Sequence, residues 1–176
     1  MNNNLIITIG REYGTGGREI GQKLALRLGI PFYDRELITR AAKKTGFDEK
    51  LFEQLDKRAT NSFLYSLTMF GSVGLNGMSL TDQLYLAQSN IIREMAEDSS
   101  CVVVGRCADH VLRDFPNKFD FFIHGSIEDR VKRIQTCGDY EIEGKTPEAA
   151  LEKMDKQRST YYNYYTGKVW GKCDHY

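Results

Sequence analysis

The chain has 176 residues, the usual length of one domain, and its 24 basic residues balance its 24 acidic ones. The balanced charge argues against a protein that binds nucleic acid polymers, because such proteins usually carry a basic excess. No uncharged apolar run approaches the roughly 18 residues of a membrane span, and the four cysteines lack metal-binding spacing. We therefore expect a cytoplasmic globular domain that binds neither a membrane nor a nucleic acid.

The first predicted elements are a strand, a glycine-rich loop and a helix. Residues 5–9 read LIITI, a β-branched run that predicts a buried parallel strand. The loop GREYGTGG follows at 10–17, and apolar residues then recur at helical spacing as far as Leu28. Gly29 and Pro31 predict the end of that helix. A second helix is expected over 35–44, with Asp34 as its N-terminal cap.

The rest of the chain continues to alternate strands with helices. Helices predominate over 48–97, which we interpret as one insertion. Strands are expected at 101–104 and 119–123, with a short one near Tyr33, and helices at 108–113 and 127–134. A last helix starts near Pro147 and carries Arg158 and four tyrosines. This order predicts an α/β fold in which helices cover both faces of a parallel sheet.

The glycine-rich loop has the position and composition of a phosphate-binding loop. Its glycines let backbone N–H groups turn towards a phosphate, and the helix that follows adds its dipole. The candidate binding residues are Gly14, Thr15, Gly16, Gly17, Arg18 and Glu19. A dinucleotide fingerprint fails here, because it needs glycine at the position of Glu19. A tight turn that only closes the βα unit is the structural alternative.

The loop departs from the Walker sequence GxxxxGK[ST] at the lysine. Gly17 stands where that phosphate-binding lysine belongs, and Arg18 and Glu19 follow where a hydroxyl usually helps to hold magnesium. Arg18 is the nearest replacement cation, because a guanidinium bridges two phosphate oxygens. Glu19 is a candidate for a water-mediated magnesium contact. The open alternative is that both are ordinary residues of a first helical turn.

Five stretches together resemble the cytidylate-kinase-like branch of the P-loop nucleoside monophosphate kinases. They run from one end of the chain to the other, and the GGRE form of the loop is part of the resemblance. The stretches are ITIGREYGTGGREIGQKLA (7–25), GIPFYDRELI (29–38), LAQSNIIREMA (86–96), CVVVGRCADHVLRD (101–114) and KMDKQRSTYYNYYTGKVWG (153–171).

The resemblance implies a three-layer P-loop NTPase fold in a single domain over 1–176. In it a parallel sheet is flanked by helices, with a helical monophosphate-binding insertion at 48–97 and a lid with its flanks at about 126–160. The family pattern continues past Tyr176 with a further strand and helix, so we expect the chain to be shorter than its natural parent.

The resemblance also implies an activity. Kinases of this family move the γ-phosphoryl group of ATP, with Mg²⁺, onto a pyrimidine nucleoside monophosphate, which makes CMP or dCMP the expected acceptor and small-molecule nucleotides the expected partners. Such a transfer chiefly needs alignment and positive charge, and an anionic phosphate acceptor needs no general base. Two alternatives stay open: a nucleotide-binding protein without efficient transfer, and a kinase of another small metabolite.

Four residues carry the implied acceptor site. By resemblance, Arg106 holds the α-phosphate of the acceptor, and Asp109 contacts its base or ribose. Asp34 and Arg35 match the start of the monophosphate-binding region. The ordinary alternatives are a salt-bridge partner for Arg106, a helix cap for Asp34 and a surface acid for Asp109.

The implied catalytic residues are all arginines. Arg130 and Arg158 resemble lid arginines that close on the transferred phosphate, where they supply charge as the transition state forms. Together with the loop and acceptor cations they complete the expected set of Arg18, Arg106, Arg130 and Arg158. The alternative for Arg130 and its neighbour Arg133 is a solvated helix face. The tyrosines after Arg158 are expected to pack against the sheet, because their spacing is that of a buried helical stripe.

Overall fold

The structure is a computed structural model that describes residues 3–34, 80–138, 140 and 146–176. The predicted second helix, the part of the predicted insertion within 48–79 and the candidate residue Arg35 lie outside the described residues. Within the described ranges, no helix combines the length and the apolar composition that crossing a membrane requires.

Four parallel strands form the centre of the described fold. They are β1 (Ile6–Arg11), β2 (Phe32–Tyr33), β3 (Cys101–Val104) and β4 (Lys118–Ile123), in the order β2-β3-β1-β4. The described helices are α1 (Gly17–Leu28), α2 (Leu80–Asp98), α3 (Ala108–Val111), α4 (Ile127–Thr136) and α5 (Pro147–Thr166), and a 3-10 turn spans Cys173–His175. The prediction of a parallel sheet flanked by helices is confirmed.

Helices cover both faces of the sheet because successive residues of a strand point to opposite sides. One face of β1 and β3 packs against α1, with Ala25 at the contact. The other face packs against α2 and α3 around Ile92 and Leu112. Thr8 is the polar residue in the otherwise apolar β1 run, and it donates a hydrogen bond to Asp120 Oδ1 at 2.6 Å. The hydroxyl group of the buried Thr8 therefore has a hydrogen-bond partner.

Helix α1 approaches the sheet through its small residues. Its buried residues are Gly17, Gly21 and Ala25, and a Cβ on Gly21 would lie 2.9 Å from Val104 Cγ2. The larger apolar residues of the predicted helical pattern, Ile20 and Leu28, stay half exposed at the margins of this contact. The close approach fixes the start of α1 just after the end of β1, with the glycine loop between them.

Strand β1 runs further than the sequence predicts. The β-branched run ends at Ile9, yet Gly10 and Arg11 pair with Phe122 and Ile123 of β4. The partner strand continues to that point, so the ladder of hydrogen bonds continues with it. The side chain of Arg11 therefore starts from the carboxyl end of the sheet, where parallel α/β sheets bind their ligands.

Helices α4 and α5 pack together over the glycine loop, within the range that the resemblance assigns to the lid. Tyr13 of the loop is buried between Ile134 of α4 and Leu151 of α5. Helix α4 begins after Ser126, whose Oγ accepts a hydrogen bond from Asp129 N at 3.1 Å. The loop and the two helices thus share one small hydrophobic core.

Candidate active site

Two glycines shape the loop between β1 and α1. Gly14 and Gly16 have φ angles of 80° and 76°, in the left-handed region that favours glycine. Thr15 Oγ1 donates to Glu12 O at 2.9 Å and closes the turn. The first N–H groups of a helix have no acceptors within the helix. At the start of α1 the loop therefore offers backbone donors of the kind that bind phosphate.

A buried ion pair holds this loop against helices α4 and α5. Arg130 of α4 is only 6% exposed, and its guanidinium contacts Asp155 of α5 and, at 3.4 Å, Glu12 Oε2. Arg130 Nε donates to Tyr13 O at 2.7 Å, and Tyr13 N donates to Asp155 Oδ1 at 2.7 Å. The alternative of a solvated helix face is therefore wrong for Arg130. Its expected contact with the transferred phosphate stays a prediction.

Arg133 lies one turn further along α4 and passes directly against Gly16. A Cβ on Gly16 would lie 2.6 Å from Arg133 Cζ. The Arg133 guanidinium pairs with Glu19, and its Nε donates to Tyr140 OH at 3.2 Å. The phosphate loop therefore has an arginine on its surface, although it lacks the Walker lysine.

Glu19 is held between two cations. It accepts a hydrogen bond from Lys23 at 2.6 Å and pairs with Arg133. The hydrogen bond and charge of Lys23, followed by the charge of Arg133, lower the pKa of the Glu19 carboxyl group. Among the described residues no three carboxylate, histidine or cysteine side chains cluster as a metal site. The expected magnesium contact of Glu19 stays a prediction.

Arg18 and Asp34 form an ion pair at the start of α1. Arg18 Nε donates to Asp34 Oδ2 at 2.7 Å, and the Asp34 side chain is buried while that of Arg18 is half exposed. The pair ties α1 to the end of β2. Arg18 therefore already has a carboxylate partner, against which a phosphate would have to compete. The expected roles of both residues towards a ligand stay predictions.

A pocket opens at the carboxyl ends of β1 and β3, next to the loop. Three arginines line it: Arg11 from β1, Arg106 from the turn after β3 and Arg158 from α5. Within the described part of the chain, Asp109 is the only acidic residue that lines the pocket. Aromatic side chains complete the wall, from Tyr161, Tyr162, Trp170 and Tyr176. The excess of positive charge favours an anionic ligand with an apolar part.

Arg106 reaches the pocket from a strained turn. Gly105, Arg106 and Cys107 have consecutive φ angles of 77°, 58° and 54°. The left-handed conformation costs a non-glycine residue about 1–2 kcal/mol, and such strain is retained where the surrounding structure holds a functional residue in place. Arg106 Nη1 donates to Gln88 Oε1 of α2 at 3.3 Å. Sequence analysis missed Gln88, since a buried glutamine leaves no local signal.

The backbone strain at Arg106 is expected to lower the stability of the folded protein. We expect Arg106→Gly to have a free energy of unfolding about 1 kcal/mol higher than Arg106→Ala, because only glycine adopts the left-handed conformation without strain. At the exposed helical position of Arg27 the order reverses, and Arg27→Ala is the more stable variant by about 1 kcal/mol. Urea titrations of the four variants measure both differences. An Arg106→Ala variant that equals or exceeds Arg106→Gly in stability contradicts strain at this turn.

Asp109 lies in the pocket wall and is tied to α5. Tyr162 OH donates to Asp109 Oδ2 at 2.6 Å, and Lys118 Nζ donates to the backbone oxygen of Asp109 at 2.9 Å. Burial raises the pKa of the Asp109 carboxyl group above its usual value. The alternative of a surface acid therefore does not hold, and the expected contact with an acceptor stays a prediction.

The raised pKa of Asp109 links stability to pH. The folded state binds this proton more tightly than the unfolded chain, so ionisation of Asp109 lowers the free energy of unfolding as pH rises. We expect Asp109→Asn, whose amide oxygen still accepts from Tyr162, to gain stability relative to the parent chain as pH rises. Urea titrations of both proteins between about pH 4 and pH 8 measure this difference. A relative stability of the variant that falls with rising pH overturns the prediction.

The tyrosines of α5 pack mainly against α2 rather than against the sheet. Tyr165 stacks on Tyr85, with ring centroids 3.9 Å apart and planes 7° apart, and its OH donates to Asp82 Oδ1 at 3.2 Å. Tyr161 also contacts Tyr85, at 6.4 Å between centroids. Tyr162 is buried and Tyr161 and Tyr165 are half-buried, but Tyr164 is exposed, so the predicted stripe is buried only in part. The helix that Tyr161 and Tyr165 contact is one that the sequence does not pair with them.

Arg11 is the pocket cation that sequence analysis missed. Arg158 Nη1 donates to Arg11 O at 3.0 Å, and the Arg158 guanidinium lies 5.2 Å from the ring centroid of Tyr13. Burial lowers the pKa of Arg158. The available signal for Arg11 was an arginine directly after a buried strand, the same signal that identified Arg106 after β3.

A family profile, described as the cytidylate kinase-like family, matches residues 6–176. The comparison with curated proteins gives no significant match. The crystal structure of an uncharacterized protein from Eubacterium ventriosum has a TM-score of 0.70 and 30% identity, covering 98% of this chain and 84% of that chain.

Two kinases share the fold at lower identity. A gluconokinase from Sinorhizobium meliloti has a TM-score of 0.51 and 16% identity, covering 89% of this chain and 76% of that chain. A shikimate kinase from Bacteroides thetaiotaomicron has a TM-score of 0.53 and 15% identity, covering 90% and 82% respectively. The architecture is thus that of the P-loop kinases.

Proposed function

Because the chain belongs to the cytidylate kinase-like family, we propose that it transfers the γ-phosphoryl group of ATP to a nucleoside monophosphate, with CMP or dCMP as the first candidates. The family and the fold are those of kinase-type phosphotransferases. The identity of the acceptor is the part of the proposal that needs an experiment.

One observation carries the proposal: three arginines from distant parts of the chain line a single pocket beside the glycine loop. Arg11, Arg106 and Arg158 reach it from β1, the turn after β3 and α5. The loop and the start of α1 supply backbone donors on the adjoining side. A phosphate donor in the loop and a phosphorylated acceptor in the pocket would therefore meet among cations, as phosphoryl transfer requires.

Phosphoryl transfer requires little covalent chemistry from the protein's own side chains. An oxygen of the acceptor phosphate forms a bond to the γ-phosphorus, and the bond to the β–γ bridging oxygen breaks with its electron pair left on ADP. Bound Mg²⁺ would neutralise charge on the β- and γ-phosphates. The chain would contribute loop N–H groups for the donor and Arg106 for the acceptor. Closure of α4 and α5 would exclude water.

A second candidate acceptor is a small hydroxylated metabolite. The cavity among the described residues holds about 130 Å³, close to the roughly 150 Å³ that accommodates a benzene ring. A hydroxyl acceptor has to lose a proton, and Asp109 in the pocket wall is a carboxylate with a raised pKa. A raised pKa improves a general base near neutral pH. A general base such as Asp109 is needed only for the hydroxyl acceptor, because an anionic phosphate acceptor needs none. Substitution of Asp109 therefore distinguishes the two candidates.

The experiment is ADP release coupled to a spectroscopic readout, with ATP, Mg²⁺ and a panel of CMP, dCMP, UMP, AMP and shikimate-like hydroxy acids. Acceptor-dependent release with CMP or dCMP supports the proposal. Release with a hydroxy acid, reduced about 10²- to 10⁴-fold by Asp109→Asn, supports the second candidate. ATP binding without release for any acceptor supports a nucleotide-binding protein instead.

A further inference from the structure

The loop lacks the Walker lysine, and the structure indicates which side chain takes its place. We propose that Arg11, at the end of β1, is the cation that contacts the β- and γ-phosphates of the donor. The inference rests on the proposed function, because it concerns the same phosphate site. This assignment differs from the prediction made from the sequence, in which Arg18 is the nearest replacement cation.

The first support is the space at position 17, where the Walker lysine belongs. A Cβ on Gly17 would lie 2.7 Å from Arg11 Cβ and 2.9 Å from Arg11 Cγ. Those distances are shorter than side chains tolerate, so position 17 has no room for a side chain while Arg11 is present. The stem of Arg11 occupies the place from which a lysine at position 17 would start.

The second support is the direction of the Arg11 side chain. A Cβ on Gly105, at the carboxyl end of β3, would overlap Arg11 Nη1. The side chain therefore runs from the start of α1 across the ends of the strands, through space that two glycines leave open. This path lies in the wall of the pocket that Arg106 and Arg158 also line. The Arg11 guanidinium therefore lies against Gly105, the residue before Arg106.

The other three arginines near the glycine-rich loop do not line this pocket. Arg18 pairs with the buried carboxylate of Asp34. Arg130 pairs with Asp155 and with the backbone of the loop. Arg133 pairs with Glu19 and packs against Gly16. Of these four arginines, Arg11 is the one that lines the pocket.

The chemistry fits this position. As the bond from the γ-phosphorus to the β–γ bridging oxygen breaks, its electron pair and negative charge stay on the β-phosphate of ADP. A guanidinium donates two parallel hydrogen bonds to phosphate oxygens and remains charged. Arg11 is therefore expected to act on donor binding and, more strongly, on turnover, because the charge grows in the transition state.

The first test compares single variants by ATP affinity, from calorimetry, and by ADP release. We expect Arg11→Gln to weaken ATP binding about 10- to 100-fold and to slow turnover about 10²- to 10³-fold. The exposed control Arg27→Gln changes ATP affinity less than about threefold, and Arg18→Gln weakens ATP binding less than Arg11→Gln does. Arg11→Lys keeps the positive charge, so we expect it to retain more ATP affinity and turnover than Arg11→Gln. If the glutamine variant does not fold, the double variant of the second test decides the question.

The second test moves the cation back to the Walker position. Gly17→Lys alone lowers turnover, because its Cβ meets the stem of Arg11. Arg11→Gly alone lowers turnover because the cation is gone. The double variant Arg11→Gly with Gly17→Lys has both the space and the charge, so we expect it to recover at least about tenfold over Arg11→Gly. Unfolding midpoints of all variants establish that folded proteins are compared.

The outcomes separate this inference from the proposed function. A loss of ATP affinity in Arg18→Gln but not in Arg11→Gln overturns the inference and leaves the kinase intact. A double variant no more active than Arg11→Gly, or an Arg11→Lys variant as impaired as Arg11→Gln, also overturns it. If the parent chain binds ATP through Arg11 but phosphorylates no acceptor, the inference stands and the proposed function fails. A parent chain that does not bind ATP overturns both.

Discussion

Replacing Asp155 by asparagine is expected to lower the free energy of unfolding by about 2–3 kcal/mol. The change leaves the buried guanidinium of Arg130 without its closest anionic partner, and Glu12 at 3.4 Å compensates only in part. Removing one partner of a buried pair costs much more than the pair contributes, because the remaining charge stays in a poorly solvated site. The amide also weakens the acceptor of the Tyr13 N–H, so the loop loses part of its support.

A matched control distinguishes this effect from the loss of any acid. Asp174 pairs with Lys172 at 2.8 Å, but both side chains are largely exposed. We expect Asp174→Asn to change the free energy of unfolding by less than about 0.5 kcal/mol. Urea titrations of the two variants give the comparison directly. Similar losses in both would mean that the Arg130–Asp155 pair does not hold the loop as described.

The second large effect is expected from replacing Gly105, and it is a loss of activity. We expect Gly105→Ala to slow phosphoryl transfer about 10²-fold, because the added methyl group takes the place of the Arg11 guanidinium. The displaced atoms are the tip of a flexible side chain, which can move aside without a shift of the backbone. The loss of stability is therefore limited to the left-handed strain at a φ of 77°, about 1–2 kcal/mol.

Gly167 provides the control for Gly105, because it has the same backbone conformation in open space. Its φ is 68°, and a Cβ there would meet nothing within 4 Å. Gly167→Ala is expected to lose the same stability and to keep full turnover. ADP release and urea titrations on both variants test the pair of expectations. Equal turnover in the two variants, each folded, contradicts a role for the space at Gly105.

Local patterns were enough to identify most elements of the described fold. The structure has the elements that these signals predict: β1 and β3 at the β-branched runs, the loop at the glycines between β1 and α1, and the start of α5 at Pro147. Such signals are reliable because strand burial, loop conformation and capping depend on near neighbours in the chain. The resemblance to a kinase family also came from motifs in the sequence, and the family match bears it out.

The roles of individual cations were not readable in the same way. Sequence analysis gives Arg18 as the replacement loop cation and Arg130 as a lid arginine, but it identifies no partner for Arg18, Arg130 or Arg133 in the fold. Their partners are Asp34, Asp155 and Glu19, which lie 16, 25 and 114 residues away along the chain. An ion pair depends on distance in space, so the spacing of charges along the chain leaves it open.

Periodicity and motifs of adjacent residues are enough to predict the class of fold, the family and the position of the glycine-rich loop. The place of Arg11, which fills the space beside Gly17 and ends over Gly105, depends instead on how the chain packs in three dimensions. Parallel pairing of β1 with β3 brings Arg11 and Gly105 together at the carboxyl end of the sheet. Contacts of this kind follow from strand register and close packing, because these determine which distant atoms meet.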